Sequence, residues 1–469
     1  MSSWAMTRTR RRLLIWLVLL ALLCAGGVAL HASLPRIVRW GGPRLAARFG
    51  VQPLRFDVAE LRWGVLAVSD VRIGEADEVK ADGVRFLYGA AGLRRGRLNR
   101  IAIEGLQVHA SLNPAGLSIP PLDPLLRAEP SEGPPSASRI LPVRDLRVRG
   151  VRVELDSELG AVATVLEGEI ALSVEGPGVD IRAPLRVRVE SEAMKLLAAG
   201  DLLVRGFVDL SAASPTYDVR TDVEDLAFAL ADLVGEDVDG SVRLAGPPLA
   251  TPDQQRFEVA RLASGAELRD GLVSFSLEPD GVVHLHDARF SVFGGTLRLD
   301  GRYVPGADKQ RFRVRMQRLG MTSLLEEADV AGLEGDGHVD GSMFVEISDT
   351  GIRIEDGKVT SKPGGGSIRY RPPGQGPLDY AAPQGLDLVR TALDNFRYRS
   401  LGGTLAGDAG GELLLALRIE GANPDLYDGY PVKLDLNLRG PFLGMMRSSR
   451  TITGIPESLE RRLSEGATR

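Results

Sequence analysis

The stretch DLYDGYPVKLDLNLRGP, residues 425–441, alternates without a break from Val432 to Leu438. Val432, Leu434, Leu436 and Leu438 fall on one face, and Lys433, Asp435, Asn437 and Arg439 on the other. Side chains on a strand repeat every two residues, so this is an amphipathic strand with one face that must be covered. ELLLALRIEG, just upstream, places Leu413, Leu415, Leu417 and Ile419 in the same manner. The cover is either a second sheet or something that is not protein.

Working outward, the alternation recurs along most of the chain. VRIGEADEVKADGVRFLYG and NRIAIEGLQVHASL alternate between Val51 and Leu117, with Gly at the turns. PPLDPLLRAEPSEGPPSASRILP (120–142) holds seven prolines and reads as a loop or linker. VRDLRVRGVRVELDS resumes the pattern, and its register flips at Gly150, which predicts a bulge or turn there. Four short helices are expected among the strands. SEAMKLLAAG has Ser191 as cap and Gly200 as stop. VEDLAFALADLVG puts Leu226, Leu230 and Leu233 on one stripe. TSLLEEADVAG has Ser323 and Glu326 at capping-box spacing, and LDLVRTALDNF spaces Leu386, Val389, Leu393 and Phe396 helically. VDGSVRL at 238 returns as VDGSMFV at 339, an offset of 101. FGGTLRL at 293 returns as LGGTLAG at 401, an offset of 108. Units of about 100 residues that recur in a row imply an elongated, stacked body.

Composition bounds the function. The 469 residues carry 62 acidic and 57 basic side chains, which argues against nucleic acid as the main partner. Cys24 is the only cysteine, so neither an internal disulfide nor a cysteine-based metal site is available. It lies in LLIWLVLLALLCAGGVAL, residues 13–30, an uncharged run long enough to span a bilayer as a helix. Arg8, Arg10, Arg11 and Arg12 abut the run and read as its cytoplasmic flank. Arg36, Arg39, Arg44 and Arg48 are spread over a longer, basic juxtamembrane stretch. The rival reading is a signal peptide cleaved after Ala32, for which Leu30 is a poor residue near the break. On either reading the rest of the chain lies outside the cytoplasm.

No constellation for catalysis emerges. His284 and His286 share a strand face and could form half of a metal site, but Asp287 points away and no third ligand is evident. Glu334, Asp336, His338 and Asp340 alternate in GLEGDGHVDGS without the loop that a calcium site of the helix–loop–helix type requires. SKPGGGSIRY lacks the Gly-Lys-Ser/Thr of a phosphate loop, and no serine sits in a Gly-x-Ser-x-Gly elbow. The expectation is therefore a protein that is not an enzyme and needs no cofactor.

Two segments carry a resemblance. GDGHVDGSMFVEISDTGIRIEDGKVTSKPGGGSIRY (335–370) and ALDNFRYRSLGGTLAGDAGGELLLALRIEGANPDLYDGYPVKLDLNLRGP (392–441) resemble the YdbH family of AsmA-like envelope proteins of Gram-negative bacteria. Asn423-Pro424-Asp425-Leu426-Tyr427 followed by Gly429-Tyr430-Pro431 is the most distinctive string. The resemblance implies an inner-membrane-anchored periplasmic protein that moves phospholipid between the two membranes. It also implies a mostly β fold: an elongated, curled sheet groove of stacked AsmA-like repeats with a few short helices, preceded by one N-terminal transmembrane helix. The family also carries an older label of dicarboxylate transport, which is hard to square with a single span and no polar central site. On this reading the candidate lipid-contacting residues are Leu413, Leu415, Leu417, Ile419, Val432, Leu434, Leu436 and Leu438.

The chain then divides into a cytoplasmic basic tail (1–12), an anchor (13–32), a juxtamembrane segment (33–50), an N-terminal β region (51–119), the Pro-rich loop (120–142), β repeats with short helices (143–330), the YdbH/AsmA-like β domain (331–441) and a C-terminal tail (442–469). Roughly 30 strands at about 4.8 Å each would reach only roughly 140 Å. That shortfall implies a partner, expected to be a small outer-membrane lipoprotein that adds a strand at the C-terminal edge. Two other readings stay open: a membrane-tethered β scaffold for envelope assembly without a lipid, and a glycan hydrolase.

Overall fold

The computed structural model describes residues 52–121, 143–371 and 391–440, apart from short gaps at loops, together with residues 43 and 47. The apolar run 13–30, the helix expected from 386 to 390 and the C-terminal tail lie outside the described residues. Among those described, no helix is long and apolar enough to cross a membrane. The described chain is mostly β, with twenty-three strands and a few short helices.

Two compact units result. The first holds residues 1–185, 191–193 and 209–213. Its strands are β1 (Leu54–Arg62), β2 (Val65–Ile73), β3 (Val79–Leu87), β4 (Leu98–Asn113), β5 (Gly116–Ser118), β6 (Val143–Ser157) and β7 (Gly160–Glu175), with helix α1 (Ala90–Arg94) between β3 and β4. Strands β1 to β4 form an antiparallel meander, and β5 folds back on β4. β4 and β6 then run parallel, in register from Leu98 opposite Val143 to Leu112 opposite Ser157. A parallel pair needs a long crossover, and the Pro-rich stretch supplies the connection between the two strands. The flip at Gly150 is a bulge: φ is +63° there, and the register with β7 shifts between Arg149 and Val151.

The second unit holds residues 186–190, 194–208 and 214–469. β8 (Gly178–Ser191) is divided, with 178–185 and Ser191 in the first unit and 186–190 in the second. β9 (Leu196–Asp209) contributes to the second, and β10 (Thr216–Leu230), β11 (Leu233–Gly246), β12 (Gln255–Ser264), β13 (Ala266–Leu277), β14 (Val283–Val292), β15 (Gly295–Tyr303) and β16 (Lys309–Gly320) continue it. Helix α2 (Met321–Ala328) and the short β17 (Leu333–Gly335) follow. Then come β18 (His338–Ser348), β19 (Gly351–Ser361), β20 (Gly366–Tyr370), β21 (Phe396–Asp408), β22 (Leu413–Ala422) and β23 (Val432–Gly440). From β10 to β16 each strand pairs with the next, antiparallel. The ladder then runs β16–β18–β19–β21–β22–β23, while β17 and β20 form a side pair joined to β21.

Two of the four expected helices are strands. Ser191 ends β8, a turn with Lys195 at φ +49° follows, and β9 begins at Leu196. Gly200 is no helix stop: a Cβ there would lie 2.9 Å from the Leu226 Cα of β10, so the close approach of that strand demands glycine. Residues 223–235 are the β10–β11 hairpin. A bulge with Asp225 at φ +52° exposes Glu224 and Asp225 together, so buried Val223 and Ala227 stand four apart. A bulged strand thereby imitates helical spacing. α2 is a helix, but it starts at Met321, so Ser323 lies inside the first turn and the capping box is not made. Residues 391–393 are helical, and Phe396 already belongs to β21. The short α1 was not foreseen.

The VDGS repeat is real in three dimensions, though it lies within strands β11 and β18 rather than in a hairpin. Asp239 Oδ1 accepts the backbone N–H of Asp225 at 2.7 Å, and Asp340 Oδ1 accepts that of Arg318 at 2.8 Å. Asp225 and Arg318 are both bulge residues, with φ of +52° and +54°. The aspartate of each motif thus satisfies an amide that the bulge removes from the ladder. FGGTLRL and LGGTLAG are not equivalent: Phe293 and Gly294 form the β14–β15 turn, whereas Gly402 and Gly403 lie inside β21.

Candidate functional site

Residues directly opposite each other in a ladder share a face, so the register of the second unit can be read as rows. One row passes from Phe275 to Leu285, Gly301 and Phe312, then to Val345, Ile354, Gly407 and Leu413. A parallel row runs from Phe290 through Leu297, Met316, Gly341, Val359 and Gly403 to Leu417 and Leu436. Between them lie Ala288, Leu299, Val314 and Met343, and further along Leu405 and Leu415. Every position is apolar or glycine. The site is therefore one continuous apolar face from β13 to β23.

The opposite face is charged. Arg302, Arg311, Glu346, Arg353 and Asp408 lie in register there. Arg315 pairs with Asp300 at 2.6 Å and Lys309 with Glu346 at 2.8 Å. Arg418 pairs with Asp435 at 2.8 Å and Lys433 with Glu420 at 2.9 Å. Hydrogen bonds from Lys309 and Lys433 hold Glu346 and Glu420 below the ordinary carboxylate range. These pairs lie at the water-facing surface and contribute little each to stability. What they do is keep this face in water.

The apolar face is covered by protein at one margin and exposed at the other. At the covered margin Phe396, Leu393, Ile419, Tyr370 and Leu434 are buried together, with Met321 of α2 and Leu401 beside them. Asn423, 2% exposed, ties this cover down. Its Nδ2 donates to the carbonyls of Thr391 and Ala392 at 2.8 and 3.2 Å, and its Oδ1 accepts the Asp425 amide at 2.8 Å. The distinctive Asn-Pro-Asp string is thus architectural. Tyr398 donates its hydroxyl to the Asp336 carbonyl at 2.8 Å, and burial, then the Asp336 charge, push its pKa up. At the other margin Tyr303 is 49% exposed, and the facing residues Ile347 and Ile352 are 42% and 37% exposed.

The eight residues singled out by sequence distribute as follows. Leu413, Ile419 and Leu434 are buried, and Leu415, Leu417, Val432 and Leu436 are half-buried. Leu417 faces Leu436 and Ile419 faces Leu434 across β22–β23, and Leu438 is opposite Leu415 in the register. The earlier strands of the same face escaped sequence reading because bulges break their alternation, as at Leu285–Ala288 and Arg269–Leu272.

The other candidates are occupied by internal bonds. His284 and His286 lie with tilted rings whose centroids are 4.2 Å apart, and His286 Nε2 lies 2.9 Å from Ser276 Oγ. Burial, then the neighbouring His284, lower the His286 pKa. Glu334 pairs with Arg369 at 3.2 Å, and Asp340 pairs with Lys362. Burial opposes ionisation of Asp340, but the bonds from Lys362 and the Arg318 amide win and hold its pKa low. Among the described residues no group of three or more side chains could hold a metal ion.

No curated protein matches the chain. A family model described as YdbH-like, intermembrane phospholipid transport protein YdbH, matches residues 190–464, more than half of the sequence and the whole of the apolar face. That family is one of lipid transport rather than catalysis. A sheet with a continuous apolar face and a charged back, matched over this span, makes the chain a member of the YdbH-like family of intermembrane phospholipid transport proteins.

Proposed function

We propose that the apolar face from β13 to β23 carries the acyl chains of phospholipids between the inner and outer membranes of a Gram-negative cell. In this reading residues 13–30 anchor the chain in the inner membrane and the β units lie in the periplasm. The observation that carries it is the unbroken run of apolar and glycine positions across the ladder, half-exposed toward one margin. Each acyl CH₂ taken out of water there is worth about 0.8 kcal/mol, and a continuous floor lets a chain slide without paying that cost at each step. No bond is made or broken, so no catalytic residue is required. Among the described residues β23 pairs on one side only. Its free edge fits strand addition by a small outer-membrane lipoprotein.

A photoreactive side chain at Leu436 tests the reading, with mass spectrometry of what it captures. Phospholipid adducts are expected. Adducts only within the protein would favour the second reading, a membrane-tethered scaffold, which the protein-covered margin around Phe396 makes the natural alternative. Protease added to spheroplasts should digest the β units and spare the first thirty or so residues. Their survival would overturn the topology.

A further inference from the structure

One end of the first unit's sheet joins an exposed aromatic turn to a cluster of arginines. The β1–β2 turn exposes Trp63 at 84%, the largest exposure of any bulky apolar residue described. Beside it, the Tyr88 amide donates to the Gly64 carbonyl at 2.9 Å, and the Tyr88 hydroxyl donates to the Arg62 carbonyl at 3.1 Å. Two residues on, α1 begins, and Arg94, Arg95 and Arg97 follow within one turn and its exit. Leu87 to Arg100 contains no acidic residue. Arg62 holds Glu60 at 3.0 Å, and Arg100 holds Asp145 at 2.7 Å. Arg94, Arg95 and Arg97 have no carboxylate partner among the described residues, whereas Arg147, Arg149 and Arg152 of the same unit each have one. In a chain of net charge −5, this end of the sheet gathers three arginines without a carboxylate among the described residues beside an exposed tryptophan and a tyrosine.

We infer that this end of the sheet is a docking surface for an anionic phospholipid membrane, the one in which residues 13–30 are anchored. The inference rests on the anchor reading above. Tryptophan and tyrosine settle at the headgroup level of a bilayer, where an apolar ring and a polar tip are both satisfied. Arginines without carboxylates take lipid phosphates as counter-ions, in fork-to-oxygen geometry. β1 is the first strand of the ladder, and residues 31–53, a tether of at most roughly 80 Å when fully extended, keep it near the bilayer. Docking here would hold the sheet in one orientation on the membrane surface, so that lipid is received at a fixed place rather than at the end of a loose leash.

The test uses the full chain with Trp4→Phe, Trp16→Phe and Trp40→Phe, which leaves Trp63 as the sole tryptophan. It is reconstituted with vesicles of phosphatidylcholine, with or without phosphatidylglycerol, whose acyl chains are brominated to quench buried indoles. Flotation of the vesicles reports on the anchor, and quenching of Trp63 reports on docking. Docking predicts strong quenching with phosphatidylglycerol and weak quenching without it. Each arginine should contribute roughly fivefold to the docked population. Arg94→Glu/Arg95→Glu/Arg97→Glu, on two exposed positions and one half-buried, should therefore abolish quenching without altering flotation, with Arg94→Glu/Arg95→Glu alone weakening it at unchanged thermal melting, and raised salt should weaken it. A chain that floats while Trp63 stays unquenched in phosphatidylglycerol overturns the inference and leaves the anchor intact. A chain that floats only with phosphatidylglycerol, and not as the triple variant, overturns the anchor and supports the surface. A chain that floats with neither lipid overturns both.

Discussion

Leu434 and Leu436 stand two residues apart on the same face of β23, yet replacing each by Asp should have different consequences. Leu434 is 8% exposed, opposite Ile419 at 1% and within the cluster around Phe396. Leu434→Asp forfeits about 2–3 kcal/mol of apolar burial. It also places a carboxylate without a partner in the core, which costs several kcal/mol more. A loss of that size is comparable with the whole stability of a domain, on the order of 5–15 kcal/mol. Leu436 is half-buried opposite Leu417, itself half-buried. Leu436→Asp forfeits about half the burial, and its carboxylate keeps part of its water, so about 1–2 kcal/mol is expected. The assay is the melting temperature of the purified full chain, with copurifying phospholipid per chain measured by mass spectrometry. Leu434→Asp should fail to accumulate folded protein. Leu436→Asp should fold, melt a few degrees lower and carry markedly less lipid. A Leu436→Asp chain that folds and keeps its full lipid load would refute lipid contact at this position. One that unfolds as Leu434→Asp does would show that protein covers the face throughout.

Four further outcomes are expected. A Cβ at Gly301 would lie 2.6 Å from Phe312 Cδ1, so Gly301→Val should lift that ring into the apolar face, at about 1–3 kcal/mol, and reduce lipid load more than its cost in melting temperature accounts for. Asp239→Ala and Asp340→Ala each orphan a bulge amide, and each should cost about 1–3 kcal/mol in denaturant titrations, additively because the sites are far apart in the ladder. Glu169, Asp340 and Glu346 have folded-state pKa values held below their unfolded ones. Their contribution is present above the ordinary carboxylate pKa and is lost as pH falls through the depressed values, while His286, whose pKa is also lowered, adds a smaller loss that begins as pH falls through the ordinary imidazole range, so the melting temperature should fall most steeply below about pH 4; a melting temperature that stays level below about pH 4 would contradict this. Single cysteines from Val432 to Met446 should crosslink to an outer-membrane lipoprotein at alternating positions, whereas crosslinks only from the 120–142 stretch would remove the edge-strand proposal.

What could be read in the sequence follows from where the ladder is regular. β22 and β23 pair from Leu413 to Val432 without a register shift, so their alternation is clean and their two faces could be assigned by inspection. Gly150 was legible because a bulge that carries glycine announces itself. Asp225, Asp270, Arg318 and Asp356 were not, since each adopts positive φ with an ordinary side chain at a bulge. A single extra residue moves the apolar set from one parity to the other. Summed over 223–235, the result has the spacing of a helix, and tertiary pairing overrode the local pattern. The arginine-and-tryptophan end of the first unit was equally hidden: Trp63 and Arg94–Arg97 lie some thirty residues apart, and only the pairing of β1, β2 and β3 brings them to one margin.

The apolar face also has a texture that composition alone does not convey. At Gly271 an added Cβ would lie 2.4 Å from the Phe290 ring, at Gly301 2.6 Å from Phe312, and at Gly403 2.6 Å from Leu417 Cδ2. In each case a large side chain of the next strand lies across the glycine instead of standing away from the sheet. Glycine in a strand interior costs stability, because it packs poorly and loses more backbone freedom on folding. Its repeated use under large residues spends that stability on a particular shape, a floor lowered and levelled by side chains lying down. A closed sandwich would gain from the reverse, since upright side chains interdigitate with the opposing sheet at an interior spacing of about 10 Å. A level floor suits a mobile, featureless ligand that must pass every strand in turn, which is the demand an acyl chain makes.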